Sequence, residues 1–325
     1  QNIQDNITNA INNKNRIVKE INSYASLPTI TQFLENNGQD IRILYQGTNC
    51  WSSLKRAAGR ISYSDDVITK RLEKGIANLI HHNTTSFLRF IERFIAGDKV
   101  HLVESNSTYA IMLYYALFQD KINKAGFNSI NEALDLIHLP KYTCFKQEIS
   151  EVISYLLANL EIKTSPLEEG IIPGMELYGC YTREEIFTLA GRQTADVRMQ
   201  GVASGAFNLP EYNTVLLFVT LNKSEKDFSP STQYNDYLIN ENYFHWQSKN
   251  TDSHNNSGGR KYVEQSKTGI NIILFVREEK KDAFGNTSPF HCFGLVDYVS
   301  SHDDFPMNVK WKLHKPAMAQ YLKAI

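Results

Sequence analysis

Apolar residues in the first half of the chain recur at the three- and four-residue spacing of amphipathic helices. The clearest stripes lie within residues 17–24, 67–80, 87–95 and 145–160. Such a period places the apolar side chains on one helix face, which must then pack against a neighbour. The sequence up to about residue 165 therefore predicts a set of packed helices.

Two capping boxes predict where further helices begin. Ser129 stands three residues before Glu132, and Thr182 stands three residues before Glu185. In this pattern each side chain accepts a hydrogen bond from the backbone N–H of the other residue. Gly191 follows the second helix as a predicted stop.

The period changes to two after a stretch with two prolines and two glycines, residues 164–174. Short segments rich in β-branched and aromatic residues then predict strands. They cover residues 214–221, 243–248, 270–276, 290–299 and 308–313.

These patterns predict an α+β protein with two domains. An all-helical N-terminal domain is expected over residues 1–168, and a β-rich domain over residues 169–325. Because its strands are not interleaved with long helices, the second domain is expected to form a mostly antiparallel, curved sheet or open barrel.

Composition excludes several classes of protein. The 325 residues carry 34 Lys plus Arg against 35 Asp plus Glu, a formal net charge of −1, which excludes a histone-like or polybasic chain. A local basic face would still suffice for DNA binding. Residues 51–93 and 249–281 are modestly basic, although ordinary solvated surfaces have the same composition and are the preferred interpretation on charge alone.

Cysteine usage and hydropathy point to a reducing, cytoplasmic compartment. The four cysteines, at 50, 144, 180 and 292, form no CxxC pair that would indicate a disulfide framework or a zinc site. No apolar run reaches the roughly 18 residues of a membrane span, and the polar first twenty residues lead us to expect no signal peptide. The first residue is Gln1 rather than Met, so we expect a piece of a longer polypeptide.

The densest group of candidate binding residues lies between Gln233 and Ser248. Aromatic rings beside a carboxylate and an amide suit a pocket that stacks on a base and reads its polar edge. The same composition also fits an aromatic core, and by residue type alone the core is favoured. Strand alternation refines the choice, since Phe244 and Trp246 share one face while Tyr243, His245 and Gln247 share the other. The candidate residues here are Tyr234, Asp236, Tyr237, His245, Trp246 and Gln247.

Other segments offer weaker candidates. Asn222 and Lys223 end a predicted strand, where they would contact a phosphate or base or simply form a solvated turn. The polar segment 250–260 is expected to be a loop that either probes a groove or only connects two strands, and it lacks nucleotide-binding glycine spacing.

A metal-dependent nuclease is an alternative. Glu278 and Lys280 follow a strand, and Glu264 would supply a second carboxylate for Mg²⁺. No spacing in the sequence assembles a Ser–His–Asp triad. An interaction scaffold that binds no nucleic acid is a further alternative.

Several stretches of the second half resemble a known family. They are YTREEIFTLAG (181–191), TLNKSEKDFSPSTQYNDYLI (220–239), FHWQSKN (244–250), LFVREEK (274–280) and FGLVDYVSSHDDFPMNVKWKL (293–313). In this order they are similar to the C-terminal domain of type IV, modification-dependent restriction endonucleases. ILYQGTNCWSSLKRAAG (43–59) resembles the helical segment that precedes this domain in the same enzymes.

The resemblance implies a function and partners. Such enzymes cut DNA that carries 5-methylcytosine or 5-hydroxymethylcytosine, and a phospholipase-D-type nuclease and a superfamily-two helicase would lie upstream. ATP and Mg²⁺ would serve the full-length enzyme, with no cofactor and no catalysis in these 325 residues. Residues 169–325 would be an SRA-like (PUA-like) reader of modified cytosine in double-stranded DNA, and residues 1–168 a coupling domain.

Base flipping is the mechanism expected from this resemblance. We assign Asp236 to the cytosine edge and Trp246 or Tyr234 to stacking. Contacts with the DNA backbone or a DNA groove are assigned to Asn222, Lys223, Gln247, Lys249 and Arg277. In the helical domain, Lys55 and Arg56, together with Arg60, are the candidate DNA contacts.

Overall fold

Helices form the first part of the chain, as the apolar periodicity predicts. The computed structural model describes residues 2–168, 171–223 and 235–322, and for residues 2–8 it describes the backbone alone. The helices up to residue 158 are α1 (Asn2–Ser23), α2 (Ile30–Asn37), α3 (Trp51–Ala57), α4 (Val67–Gly75), α5 (Thr85–Ala96), α6 (Ser107–Phe118), α7 (Ile122–Ala125), α8 (Ile130–Asp135) and α9 (Thr143–Ala158). Short 3₁₀ segments lie between them at Ile41–Tyr45, Ile76–Leu79, Val100–Leu102, Glu104–Asn106, Leu136–His138 and Pro140–Tyr142.

Helix α5 illustrates how the sequence determines these elements. Six residues of its apolar stripe between Phe87 and Ile95 are buried. Gly97 ends the helix with φ 101°, a left-handed conformation that glycine adopts without steric strain. Among the described residues, no helix combines the length and apolarity needed to cross a membrane.

The later elements form a sheet with few helices. The strands are β1 (Ser165–Pro166), β2 (Glu176–Leu177), β3 (Cys180–Tyr181), β4 (Ala206–Leu209), β5 (Thr214–Asn222), β6 (Tyr237–Asn240), β7 (Tyr243–Gln247), β8 (Asn271–Glu279), β9 (Phe290–His302) and β10 (Asn308–Leu313). The accompanying helices are α10 (Arg183–Leu189), α11 (Ser257–Val263), α12 (Gln265–Thr268) and α13 (Ala319–Leu322), with a 3₁₀ turn at Pro210–Tyr212.

Eight of these strands join in one sheet, and β1 pairs only with β2. The order is β4-β5-β8-β9-β10-β7-β6, with β3 also on β9. Among the strands that the structure describes, the β5–β8 pair is parallel and the other ladders of this sheet are antiparallel. The pairing register shifts by a bulge or similar irregularity at Leu274/Phe275 and at Lys310/Trp311. No ladder among the described residues joins the edge strands β4 and β6, so the sheet is open, and the α+β prediction is confirmed.

Two compact units divide the chain. The first comprises residues 1–162, 187–199 and 283–286, and the second comprises residues 163–186, 200–282 and 287–325. The change from the first to the second falls at residues 162–163, a few residues before the boundary expected from the sequence. The second unit contains all the candidate residues of the sheet.

Candidate nucleic-acid interface

Strand alternation divides the predicted binding residues between two faces of the sheet. In the register, Tyr237 lies opposite His245, and Gln247 lies opposite Asn308. These side chains are on the outer face of β6, β7 and β10, whereas Phe244 and Trp246 are buried on the inner face. Asp236, one residue before Tyr237, is also buried. The predicted alternation of β7 is confirmed. At the start of β6, Asp236 is buried whereas its neighbour Tyr237 lies on the outer face, so these two residues do not line one common pocket.

Asp236 and Lys223 form a nearly buried ion pair on the inner side. The Nζ atom of Lys223 lies 2.5 Å from Oδ2 of Asp236, and the two side chains are 8% and 4% exposed. The backbone N–H of Gln247 donates to Oδ1 of Asp236 at 2.9 Å. The pair joins the end of β5 to the start of β6, strands that are far apart in the order of the sheet. Curvature of the sheet therefore brings these two residues together.

Opposing effects act on the Asp236 carboxyl group. Burial raises its pKa above the usual value, and the nearby Lys223 lowers the pKa only in part. A carboxylate offers about four lone-pair positions, of which two are used here. Within the described residues, no other hydrogen bond uses the remaining positions.

Trp246 is a core residue, which differs from its predicted stacking role. Its side chain is 4% exposed and packs edge-on against Tyr262, with Trp311 6.1 Å away between ring centroids. The indole is thus enclosed by the protein core. Tyr234, the other predicted stacking residue, lies outside the described residues.

On the outer face, Tyr237 and His245 stack with ring centroids 4.5 Å apart and planes at 14°. The His245 Nδ1–H donates to the carbonyl oxygen of Asn235 at 2.8 Å, because a carbonyl only accepts. Gln247 accepts from the backbone N–H of Asn235 and donates to Asn308. Two of the predicted residues thus form an aromatic pair beside a fixed amide.

The remaining predicted contacts of the second unit are in different environments. Asn222 and Lys249 are exposed, and their contact with phosphate or base stays a prediction. Arg277 is only 9% exposed. Its guanidinium donates to Thr220 and to the carbonyl of Ser288 and lies over the Phe290 ring. Arg277 therefore stabilises the sheet through contacts inside the protein, and the expectation that it contacts DNA is corrected.

The predicted cations of the helical unit are also used internally. Lys55 is 4% exposed, with its ammonium group near the Trp51 ring. Arg56 pairs with Glu73 at 3.1 Å. Arg60 donates to the carbonyls of Ile21, Tyr24 and Ala25, which lie at the end of α1. The expectation that these residues face DNA is therefore corrected for Lys55 and Arg60, whose side chains stabilise the helices.

The residues of the nuclease alternative are not brought together. Glu264 lies just before α12, which leads into the first residue of β8, whereas Glu278 and Lys280 lie at the other end of that strand. At a rise of ~3.3 Å per residue, the nine residues of β8 separate its two ends by roughly 26 Å. These side chains do not form one metal site.

A hydrogen-bonded line that sequence spacing did not predict connects Asp304, His254 and Ser301. Nδ1 of His254 lies 2.8 Å from Oδ1 of Asp304, and Nε2 lies 2.7 Å from Oγ of Ser301. The atoms have the order of a serine-hydrolase triad. However, the Ser301 hydroxyl is also held by Tyr298, and the backbone N–H of His254 donates to the same Asp304 oxygen. The line therefore ties the loop after β7 to the turn before β10.

One family model matches part of the chain. Residues 175–324 match the model of a protein family described as a domain of unknown function (DUF3427). The match includes every strand of the eight-stranded sheet. No curated protein matches the chain.

Proposed function

We propose that the second unit recognises 5-methylcytosine, and also 5-hydroxymethylcytosine, in double-stranded DNA. In this proposal it is the target-recognition part of an ATP-dependent type IV restriction endonuclease. The helicase and nuclease would be other domains of the same polypeptide, and ATP and Mg²⁺ would act there. The helical unit would couple recognition to these domains.

The observation that carries the proposal is the nearly buried Lys223–Asp236 pair at the end of a curved, open sheet. A buried ion pair is weak evidence for stability, because apolar residues of similar volume often stabilise a fold equally well or better. Buried titratable groups with perturbed pKa values are concentrated at functional sites. We therefore assign the pair to ligand recognition.

Recognition of the base would proceed through its polar edge and its methyl group. Asp236 would accept from the cytosine amino group, with Lys223 holding the carboxylate in position. Burying one methyl group contributes only ~0.8 kcal/mol, a preference of roughly four-fold. Because Trp246 is occupied in the core, the stacking role is proposed for Tyr234. Contacts of Asn222 and Lys249 with DNA would add affinity without selecting the modified base.

The proposal is tested by fluorescence anisotropy with matched duplexes that carry cytosine or 5-methylcytosine. A double variant, Lys223→Met with Asp236→Leu, removes both charges of the pair without leaving one of them unpaired. We expect the wild-type chain to prefer the methylated duplex and the double variant to lose this preference. Lys267→Gln, which changes an exposed lysine elsewhere in the second unit, serves as the control.

Two outcomes would contradict the proposal. One is equal affinity of the wild-type chain for both duplexes over several flanking sequences. The other is a preference that survives in the folded double variant. Absence of any salt-dependent affinity for DNA would leave the interaction-scaffold interpretation instead.

A further inference from the structure

The outer face of β6, β7 and β10 combines aromatic and basic side chains in aligned rows. In one row Tyr237, His245 and Lys310 lie side by side, because 237 pairs with 245 and 245 pairs with 310. In the next row Tyr243 lies opposite Lys312. Two residues along a strand correspond to ~7 Å, so the two rows are close neighbours. We call these five residues the outer platform.

Tyr237 is positioned to extend a stack of rings. One face of its ring lies against His245, and the side chain remains 44% exposed at the edge of the sheet. The hydrogen bond from His245 to the carbonyl of Asn235 fixes the imidazole ring in place. A base placed on the other face of Tyr237 would continue this stack without rearranging the pair.

The lysines give the platform a positive charge. The ammonium group of Lys310 lies 4.5 Å from the centroid of the Tyr243 ring. Lys312 is exposed. Within the part of the chain that the structure describes, neither Lys310 nor Lys312 forms an ion pair with a carboxylate.

Carboxylates at the rim of the platform are engaged elsewhere. Asp297, which lies opposite Lys312 in the register, is 3.1 Å from Nε2 of His314. Asp303 accepts a hydrogen bond from the amide of Asn308 and lies 3.7 Å from Nε2 of His302. Each acidic side chain thus has its own partner, which leaves the two lysines available for an anionic ligand.

From this arrangement we propose that the outer platform binds single-stranded nucleic acid. Bases would stack on Tyr237 and Tyr243, while Lys310 and Lys312 contact the phosphates. Stacking on aromatic rings along a basic groove is how proteins bind single strands without sequence preference. A duplex is a poor ligand for such a surface because its bases already stack on each other.

This inference is independent of the proposed reader function. Tyr237, Tyr243 and the two lysines lie on the outer face, whereas Asp236 and Lys223 are buried on the inner side. A strand held on the outer platform would therefore not occupy the space around the ion pair. Each site is expected to respond to its own substitutions.

The test is anisotropy titration of the full 325-residue chain with labelled, unmodified oligothymidylate at several salt concentrations. We expect Tyr237→Ala and Tyr243→Ala each to weaken binding by roughly five-fold or more, the range measured for single stacking residues. Tyr237→Phe keeps the ring and is expected to bind like the wild type. Lys310→Gln is expected to flatten the plot of log affinity against log salt by about 0.7.

Matched controls separate the platform from the other site and from loss of folding. Lys267→Gln is expected to leave the affinity unchanged, and the double variant Lys223→Met with Asp236→Leu should still bind oligothymidylate. Circular dichroism and thermal unfolding establish that each variant is folded. Binding that is absent, or that the alanine and lysine variants leave unchanged, would overturn the inference. Self-association through this face without oligonucleotide binding would assign it to a second copy of the chain.

Discussion

At Asp236, burial and ion pairing act in opposite directions on one carboxyl group. Burial raises its pKa, and the ammonium group of Lys223 at 2.5 Å only partly reverses that effect. The charged state of Asp236 in the folded protein thus depends on Lys223. This coupling makes the pair sensitive to both substitution and pH.

We predict that Lys223→Met destabilises the protein by about 3–5 kcal/mol near pH 8, because it leaves a buried carboxylate without its cation. Without Lys223 the pKa of Asp236 rises further, so the folded state binds a proton more readily than the unfolded state. The loss should therefore shrink as the pH falls through that raised pKa. Urea unfolding at pH 5 and pH 8 measures the difference.

Adding Asp236→Leu to Lys223→Met is expected to recover most of the lost stability, since both charges are then absent. If the double variant is as unstable as Lys223→Met alone, the unpaired charge of Asp236 is not the cause of the lost stability.

Alternation in β7 predicts on which face of the sheet each side chain lies. It does not predict which other side chains pack against it. Phe244 and Trp246 were correctly separated from Tyr243, His245 and Gln247. The sequence could not show that Tyr262 and Trp311 fill the space around Trp246. The exposure of basic side chains was equally hard to predict from sequence. Lysine is usually exposed, but Lys55 is buried with its ammonium group over the Trp51 ring. Packing partners distant in sequence determine these outcomes.

Helix α11 begins at Ser257, inside the segment 250–260 that the sequence predicts to be a loop. Asn256 caps it by accepting the backbone N–H of Gly259, which compensates in part for two adjacent glycines. At Gly259 a β-carbon would collide with the sulfur of Met307 and the carbonyl oxygen of Ser253. The glycine is required by close packing rather than by backbone flexibility.

We predict that Gly259→Ala destabilises the second unit by about 1–3 kcal/mol through overpacking. This is expected although alanine has a higher helix propensity than glycine by about 1 kcal/mol. Ser257→Ala on the same helix, at an exposed position, should change the free energy of unfolding by less than about 0.5 kcal/mol. A stabilised Gly259→Ala variant in thermal unfolding would refute the packing argument.

Elements with a clear period were the most predictable. The strand predicted over residues 308–313 has those bounds in the structure, and α5 contains the apolar stripe predicted within residues 87–95. Helix α6 was not predicted because it is apolar on nearly every side and so has no amphipathic period. The parallel pairing of β5 and β8 depends on a connection of 48 residues, from 223 to 270, whose path no local pattern determines.

For the whole second unit, contacts across long sequence separations hold the curved sheet in place. His314, just after β10, lies between Glu168 and Asp297, with contacts of 3.0 and 3.1 Å. Burial disfavours the charged imidazole, but the hydrogen bonds to Glu168 and Asp297 outweigh burial and raise the pKa of His314 above its usual value. The charged form is therefore the one that joins these segments.

A histidine whose pKa is raised by folding stabilises the folded state fully below its unfolded pKa of 6.5 and loses this effect as the pH rises through the folded pKa. We predict that His314→Gln lowers the free energy of unfolding at pH 5.5 and has little effect at pH 8.5. Both carboxylates are well exposed, so the difference should stay below about 1 kcal/mol. Equal effects at the two pH values, in paired urea titrations, would argue against a charged His314.

We propose that the second unit distinguishes modified from unmodified cytosine in duplex DNA. Its most direct test is competition at one fixed salt concentration. A labelled duplex with 5-methylcytosine is bound to the wild-type chain and displaced by unlabelled duplexes that carry cytosine, 5-methylcytosine or 5-hydroxymethylcytosine. We expect the two modified competitors to displace the label at lower concentration than the cytosine duplex. Three superimposable displacement curves would contradict it.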